Sequence, residues 1–312
     1  MIWRRVMLAV PNVDYLPSNV VDRLGRIVRG VQAELELFSS LYEPDIVRPG
    51  QYDEAAKAIA DLVESRHRRL ERIADMFREQ EVTVCCSVRW DYPMHEAVVR
   101  QVLRHQVDLL VVPARATGDI GQRTLHYREV RLIETCPCPL LLLKSPEDYA
   151  QRPIVAAVDP LHAYEVPEEL DDIIIKAART LAYSLAEAPV HLYHAEAVSP
   201  NSEQEHARRI RVNVRVRDLA ERNNIPGEKV HIESGAVEVT LPEFARTAHA
   251  DAIVMGVLSR AYPHRAILGH KAEYVLDGVS CDVLVVKPSG FTCSVDPEPS
   301  PAVPIPGLER QA

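Results

Sequence analysis

Short apolar runs alternate with longer amphipathic stretches along most of the chain. In the second half the runs are Ile154–Val158, Val190–Ala195, Val230–Glu233, Ala252–Met255 and Val283–Val286. Runs this short and this apolar predict strands buried on both faces. The stretches between them have helical period. Ile174, Ala178, Leu181 and Leu185 fall on one helical face, and Val212, Val216 and Leu219 mark the buried side of a charged helix over Ser202–Arg222. Further helices are predicted over Leu241–Ala248 and Lys271–Leu276. The first half alternates in the same way, with strands near Val6–Val10, Glu34–Phe38, Thr83–Val88, Leu109–Val112 and Leu140–Leu143. Its second helix, about Glu54–Gln80, turns Ile59, Leu62, Leu70, Ile73 and Phe77 inward. Such alternation requires a parallel sheet with helices on both faces. Ligands of these sheets lie at the carboxyl ends of the strands, near the switch point.

The two halves repeat one pattern. Val107-Asp108-Leu109-Leu110-Val111-Val112 matches Ala250-Asp251-Ala252-Ile253-Val254-Met255, 143 residues later. Cys138-Pro139-Leu140-Leu141-Leu142-Leu143-Lys144 matches Cys281-Asp282-Val283-Leu284-Val285-Val286-Lys287 at the same offset. Val6–Val10 matches Ile154–Val158 at an offset of 148. The expected organisation is a first domain over 1–146, a second over 153–288, and a linker at Glu147–Arg152. From Ser289 the composition shifts, with Pro297, Pro299, Pro301, Pro304 and Pro306 close together, which predicts a disordered tail over 289–312.

Composition narrows the picture. Hydrophobic residues make up 47% and aromatics only 5%, so the cores rest on Val, Ile, Leu and Ala. A net charge of −9 disfavours nucleic acid as a partner of the whole surface. No apolar run approaches the roughly 20 residues that span a bilayer, and no secretory signal opens the sequence. The expectation is a cytoplasmic protein with reduced thiols and no membrane partner. Cys136-Pro137-Cys138 has C-x-C rather than C-x-x-C spacing, and no second pair completes a zinc site, so structural thiols are expected. Cys85 and Cys86 point to opposite strand faces.

Other candidates give no catalytic constellation. His191 and His194 stand at i and i+3 on a strand and face opposite sides. His162, His264 and His270 fall on strand-end loops without a matching carboxylate set, so no metal site is expected there. Ser234-Gly235 lacks the nucleophile elbow. The arginines Arg208, Arg209, Arg211, Arg215, Arg217 and Arg222 are balanced by Glu203, Glu205 and Glu221 and read as a solvated face. Trp90 ends a strand and is expected to cap the core, with an apolar ligand pocket as the alternative.

The most informative stretch is Met255-Gly256-Val257-Leu258-Ser259, followed after nine residues by Gly269-His270. It joins a strand to a helix, where glycines admit a phosphate and the helix start offers free N–H groups. With Ile253-Val254-Met255-Gly256, Ile267-Leu268-Gly269, Ala272-Glu273-Tyr274-Val275-Leu276-Asp277 and Cys281-Asp282-Val283-Leu284-Val285-Val286-Lys287-Pro288, it resembles the universal stress protein family in its tandem form. Val107-Asp108-Leu109 and Cys136-Pro137-Cys138-Pro139 extend the resemblance to the first half, and it covers about residues 1–289.

That resemblance implies two tandem Rossmann-like (adenine-nucleotide α-hydrolase-like) domains, each a five-stranded parallel sheet with helices on both faces. Members that hold ATP carry G-x2-G-x9-G-[S/T] and an Asp ending the first strand. Asp159 matches that Asp, Gly256 the first glycine and Gly269 the third, while Met255 and Ala195 line the base pocket. Ser259 replaces the second glycine and His270 the Ser/Thr. A Cβ at Ser259 restricts positive φ, at a cost of about 1 kcal/mol if the turn needs it. Arg260, Arg265 and Lys271 lie close enough in sequence to offset the loss by contacting phosphate oxygens. The implied ligand is ATP at a degenerate site, with Mg2+ as its only accompanying metal. In the first half Pro113, Ala116 and His126 stand at the glycine positions and Pro11 at the Asp, so no ATP is expected there.

The implied function is stress-response binding or regulation without catalysis. The alternatives are slow ATPase or phosphotransfer activity, and a carrier or sensor of an apolar or nucleotide-linked metabolite. Family members pair through the fifth strand. Leu140–Lys144 and Val283–Lys287 are therefore expected to join the domains as an internal pseudo-dimer, with a homodimer as a further expectation.

Overall fold

Leu140–Leu143 is buried along its whole length, and so is Asp282–Val286. Each would be an exposed apolar edge if its half stood alone. They pair with each other instead, antiparallel, with Leu142 opposite Val283 and Leu140 opposite Val285. The structure is a computed structural model that describes residues 2–46, 52–114, 127–161, 169–196, 202–257 and 268–298.

The first half runs β1 (Arg5–Ala9), α1 (Ser18–Val31), β2 (Glu34–Leu41), α2 (Tyr52–Arg78), β3 (Val84–Trp90), α3 (Met94–His105), β4 (Leu109–Pro113), α4 (Tyr127–Thr135) and β5 (Leu140–Leu143). The second runs β6 (Ile154–Ala157), α5 (Glu169–Ser184), β7 (Val190–Glu196), α6 (Ser202–Arg222), β8 (Val230–Ser234), α7 (Val237–Thr247), β9 (Ala252–Gly256), α8 (His270–Gly278) and β10 (Asp282–Val286). The strands form one sheet in the order β3-β2-β1-β4-β5-β10-β9-β6-β7-β8. All neighbours are parallel except β5 and β10. The order reverses direction between β1 and β4, and again between β6 and β9. Those are the two switch points.

Alternate strand residues feed two cores, each continuous through both halves. Val6, Leu8, Leu141, Ile154 and Leu284 face the helices α1, α2, α5 and α6. Met7, Leu110, Leu142, Val155 and Val283 face α3, α4, α7 and α8. On the first face α1 and α5 meet across the seam. Gly30 permits this approach, since a Cβ there would collide with the Ser184 backbone.

The repeated Asp has a structural role. Asp108 accepts hydrogen bonds from the backbone N–H groups of Arg4 and Arg5 at 2.8 and 2.9 Å. Asp251 does the same for Ala150 and Arg152. Each carboxylate thereby ties down the chain that enters the first strand of its own half.

The repeated Lys crosses the seam. Lys144, after β5, donates its Nζ to the Leu276 carbonyl on α8. Lys287, after β10, donates to the Cys136 carbonyl just beyond α4. Each half thus supplies a cation to the carboxyl end of the other half's last helix, where carbonyls lack partners.

One contact lacks a repeated counterpart. Asp282 stands where the first half has Pro139. Its side chain is fully buried and ion-pairs with buried Arg23 of α1. It also accepts from the Lys144 and Ser145 N–H groups and from the Tyr149 hydroxyl at 2.5 Å. Burial pushes that hydroxyl up to about 12, so it remains a donor. Arg23 further donates to the Ser145 carbonyl and lies over the Tyr149 ring.

Two expectations need correction. The predicted disordered tail does not begin at Ser289. Phe291, Cys293 and Val295 pack onto the second core, and the Asp296 carbonyl accepts from Arg100 of α3. Three apolar residues at alternate positions anchor this strap, and the proline content masked them. The remainder, 299–312, lies outside the described residues. Helix α7 begins at Val237 rather than Leu241, and Pro242 lies inside it. Pro242 packs beside Gly278, which has no side chain to obstruct it.

His191 and His231 form a side-chain pair on β7 and β8, with Nδ1 to Nε2 at 2.9 Å and Phe244 against His231. Burial lowers the pKa of both, and mutual repulsion lowers His191 further. With folded values below the ordinary 6.5, the unfolded chain takes up protons first as pH falls. Their contribution is complete above that value and lost below it. His231→Phe is expected to shrink the drop in melting temperature between about pH 7 and 5. Thermal scans of both proteins test this.

Asp282→Ala leaves Arg23 buried without its anion. It is expected to cost about 3–5 kcal/mol in urea unfolding. The double variant Arg23→Met with Asp282→Leu is expected to lose less than Asp282→Ala alone.

Candidate ligand-binding site

The switch point of the second half opens into a cavity of about 270 Å³. Asp159 and Ala195 reach it from the ends of β6 and β7, Met255 and Gly256 from β9, and Gly269 from the start of α8. Five of the eight residues singled out in the sequence therefore share one cavity. Ser259 and Arg260 lie outside the described residues, as do Arg265, His162 and His264. His270 is described but does not line the cavity. Its side chain is 96% exposed, with Nδ1 4.0 Å from Glu273.

Local chemistry explains the opening. Asp171, in the first turn of α5, is buried and accepts the Asp159 N–H at 3.0 Å. That contact fixes the chain as it leaves β6. His194 Nδ1 lies 2.9 Å from the Val158 carbonyl and ties β7 to the same point. Gly235 has φ 143°, a conformation that favours glycine, and its N–H donates to the Glu196 carbonyl. This turn places Ala236 and Val237 in the wall. Helix α8 starts at Gly269 without a side-chain cap. The space beside Gly269 is open, since a Cβ there would touch nothing within 4 Å. Uncapped N–H groups and the positive end of the helix dipole suit an anion.

Sequence reasoning missed much of the lining. Leu170 and Ile174 of α5, Tyr193 of β7, Leu241 of α7 and Val275 of α8 make the interior mainly apolar. Their signal was present as the buried faces of helices, but periodicity does not separate a cavity wall from a packed core. Arg208 and Lys271 add cationic groups to the lining. A neighbouring polar cleft shares Leu161 and Asp171 with the cavity and includes Arg215 and Arg222. The α6 arginines are exposed, as expected of a solvated face, except half-buried Arg208.

Gly256 also has a packing role beside its place in the cavity. An added Cβ would stand 2.6 Å from Leu170 Cδ2. This glycine makes room for an apolar side chain of α5. Gly256→Val is expected to destabilise the protein by about 1–3 kcal/mol through overpacking. Leu170→Ala in the same chain is expected to restore part of that loss in chemical denaturation.

At the equivalent point of the first half the described residues are arranged differently. Ser39 Oγ donates to the Val10 carbonyl, as His194 meets Val158 in the second half. Arg66 of α2 then donates Nε to Ser39 Oγ and Nη2 to the Pro11 carbonyl, both at 2.9 Å. A guanidinium therefore sits over the end of β1, where Pro11 replaces the Asp159 type of residue. Trp90 packs against Tyr42 at 5.5 Å between ring centroids, and Tyr42 against Tyr92 at 5.2 Å. Among the described residues no group of three or more His, Cys, Asp or Glu is placed to hold a metal. No described helix is long and apolar enough to cross a membrane.

This topology, with a glycine-bearing strand end facing an uncapped helix start, is shared with known proteins. The model of the Universal stress protein family matches residues 155–287. That match spans most of the second half, and curated relatives described as universal stress proteins match along nearly the whole chain. The chain is similar along most of its length to Universal stress protein E. It is 26% identical over 278 residues to that of Photorhabdus laumondii, covering 85% of this chain and 88% of the relative. It is 24% identical over 305 residues to that of Escherichia coli K12, covering 92% and 94%. A solved structure of a functionally unknown protein from Pseudomonas aeruginosa PAO1 has the same fold. It superposes with a TM-score of 0.70 at 24% identity, covering 92% of this chain and 93% of that one. A universal stress protein from Archaeoglobus fulgidus superposes at 0.61 with 15% identity, covering 91% and 98%.

Proposed function

We propose that this chain is a universal stress protein, a binding and regulatory protein whose second half holds a nucleotide-like ligand, with occupancy rather than turnover as its output. The observation that supports this is the single cavity shared by Asp159, Ala195, Met255, Gly256 and Gly269. Its volume of about 270 Å³ falls just below that of small-molecule pockets, which run to roughly 300–1,000 Å³. That suits a base and sugar inside, with phosphates outside along Gly269 and the first turn of α8. Asp159 is half-buried at the rim and suits a sugar hydroxyl. Arg208 and Lys271 suit the phosphate charge. ATP, with Mg2+ on its phosphates, is the proposed ligand.

The first half is proposed not to bind nucleotide. Arg66 fills the equivalent point with hydrogen bonds to Ser39 and Pro11.

The apolar wall of Leu170, Ile174, Leu241 and Val275 supports a second reading, a carrier or sensor of an apolar or nucleotide-linked metabolite. Mass spectrometry of molecules that co-purify with the native protein separates the two.

Titration calorimetry with ATP is expected to give one site per chain. Asp159→Ala is expected to weaken it roughly tenfold or more, the effect of losing one charge-assisted hydrogen bond. Gly269→Val is expected to weaken it by blocking the approach to α8. Two sites per chain, or affinity unchanged in both variants, would sink this placement. Steady release of phosphate from bound ATP would overturn the non-enzymatic reading.

A further inference from the structure

The two thiols that the C-x-C spacing marks as structural meet in the fold. Cys136 follows the last residue of α4, and its N–H donates to Leu132 O, which closes the helix. Pro139 is pinned on the other side, where its carbonyl accepts the Leu110 N–H. Pro137 between them has its φ fixed by the ring. Held this way, Cys136 Sγ lies 3.5 Å from Cys138 Sγ. An S–S bond of about 2.05 Å needs the sulfurs to close by about 1.5 Å, within reach of a side-chain rotation.

A cation stands beside them. Lys287 crosses from the second half, donates to the Cys136 carbonyl and lies over the Phe291 ring at 4.5 Å. Burial lowers the Lys287 ammonium, and the neighbouring thiols oppose that shift. Burial alone would raise Cys136 as well, but the hydrogen bond from Cys138 and the Lys287 charge outweigh it and leave it below the ordinary thiol value. One proton shared between two sulfurs beside an ammonium favours a thiolate at Cys136.

Packing does not require this pair. The position equivalent to Cys136 in the second half is Val279, and only Cys281 remains there. The same connection is thus built with one thiol. Cys136 is buried and Cys138 half-buried, so a small oxidant reaches Cys136 past Cys138.

We propose that Cys136 and Cys138 are a redox-active dithiol that hydrogen peroxide converts to an intramolecular disulfide. The Cys136 thiolate attacks one peroxide oxygen. An S–O bond forms, the O–O bond breaks, and the leaving hydroxide takes a proton to become water. Cys138 then attacks the sulfenic sulfur of Cys136. The S–S bond forms, the S–O bond breaks, and the second hydroxide leaves with the Cys138 proton as water. Two thiols are oxidised by two electrons and one peroxide is reduced to two waters. A small-molecule thiol reverses the step by exchange.

The pair is near the candidate cavity. Glu134, two residues before Cys136, accepts the Leu268 N–H at 3.3 Å, immediately before Gly269. The redox proposal does not depend on what the cavity binds.

Trypsin releases residues 132–144 as one peptide that carries Cys136 and Cys138 and no other cysteine. Native protein treated with stoichiometric hydrogen peroxide, then alkylated and digested, is expected to yield this peptide lighter by two hydrogens and unalkylated. Prior treatment with a thiol reductant restores both alkylation sites. In Cys136→Ser the disulfide is lost and Cys138 stays alkylatable. In Cys138→Ser the sulfenic acid at Cys136 persists and reacts with dimedone once the protein is unfolded in its presence. Circular dichroism of both variants checks that the fold is kept. Recovery of the native peptide with both thiols alkylated overturns the proposal. So does a cross-link of this peptide to the one carrying Cys293, because the strap cysteine would then be the partner.

Discussion

An apolar strand buried on both faces needs a neighbour on both edges. β5, four leucines in a row, has β4 on one side, and β10 supplies the other. That single antiparallel pairing converts two half-sheets into one. The contacts around the seam reinforce it in complementary ways. Asp282 holds Arg23, Tyr149 and two backbone N–H groups on one side. Lys144 and Lys287 cross in opposite directions and cap each other's domain. Gly30 lets α1 and α5 close over the first face. The lysines belong to the repeated pattern, while Asp282 breaks it. A symmetric scaffold is thus locked by an asymmetric charge.

The scaffold was legible because strands buried on both faces have a distinct sequence form. Ile154 to Ala157, Ala252 to Gly256 and Asp282 to Val286 show it as almost continuous apolar residues. The repeated Asp and Lys were legible as matches but not as hydrogen bonds, because their partners are far away in sequence. Asp108 reaches back to Arg4, and Lys287 to Cys136. Arg66 was invisible for the same reason. Nothing in a long amphipathic helix says which arginine will turn over the end of a strand. The strap was misread because its prolines outweigh Phe291 and Val295 in composition, although burial is decided by those two.

The candidate site shows what duplication does to a cavity. Both halves keep a side chain that meets the last carbonyl of the first strand, Ser39 in one and His194 in the other. In the first half that side chain receives an arginine and the space is spent on internal hydrogen bonds. In the second, Asp171 accepts the Asp159 N–H, and both residues line the cavity. Gly256 belongs to this difference in an indirect way. It makes room for Leu170 and so shapes the apolar wall.

The order of synthesis gives the strap and the seam a further meaning. β5 precedes its partner β10 by nearly the whole second half, and Asp296, which meets Arg100, follows later still. Domains fold as units from the N-terminal end while the chain emerges. The first half must therefore wait, with a leucine edge unpaired, for nearly the whole second half to appear. Closing the seam is thus a late step for the chain, separated from the making of β5 by four strands.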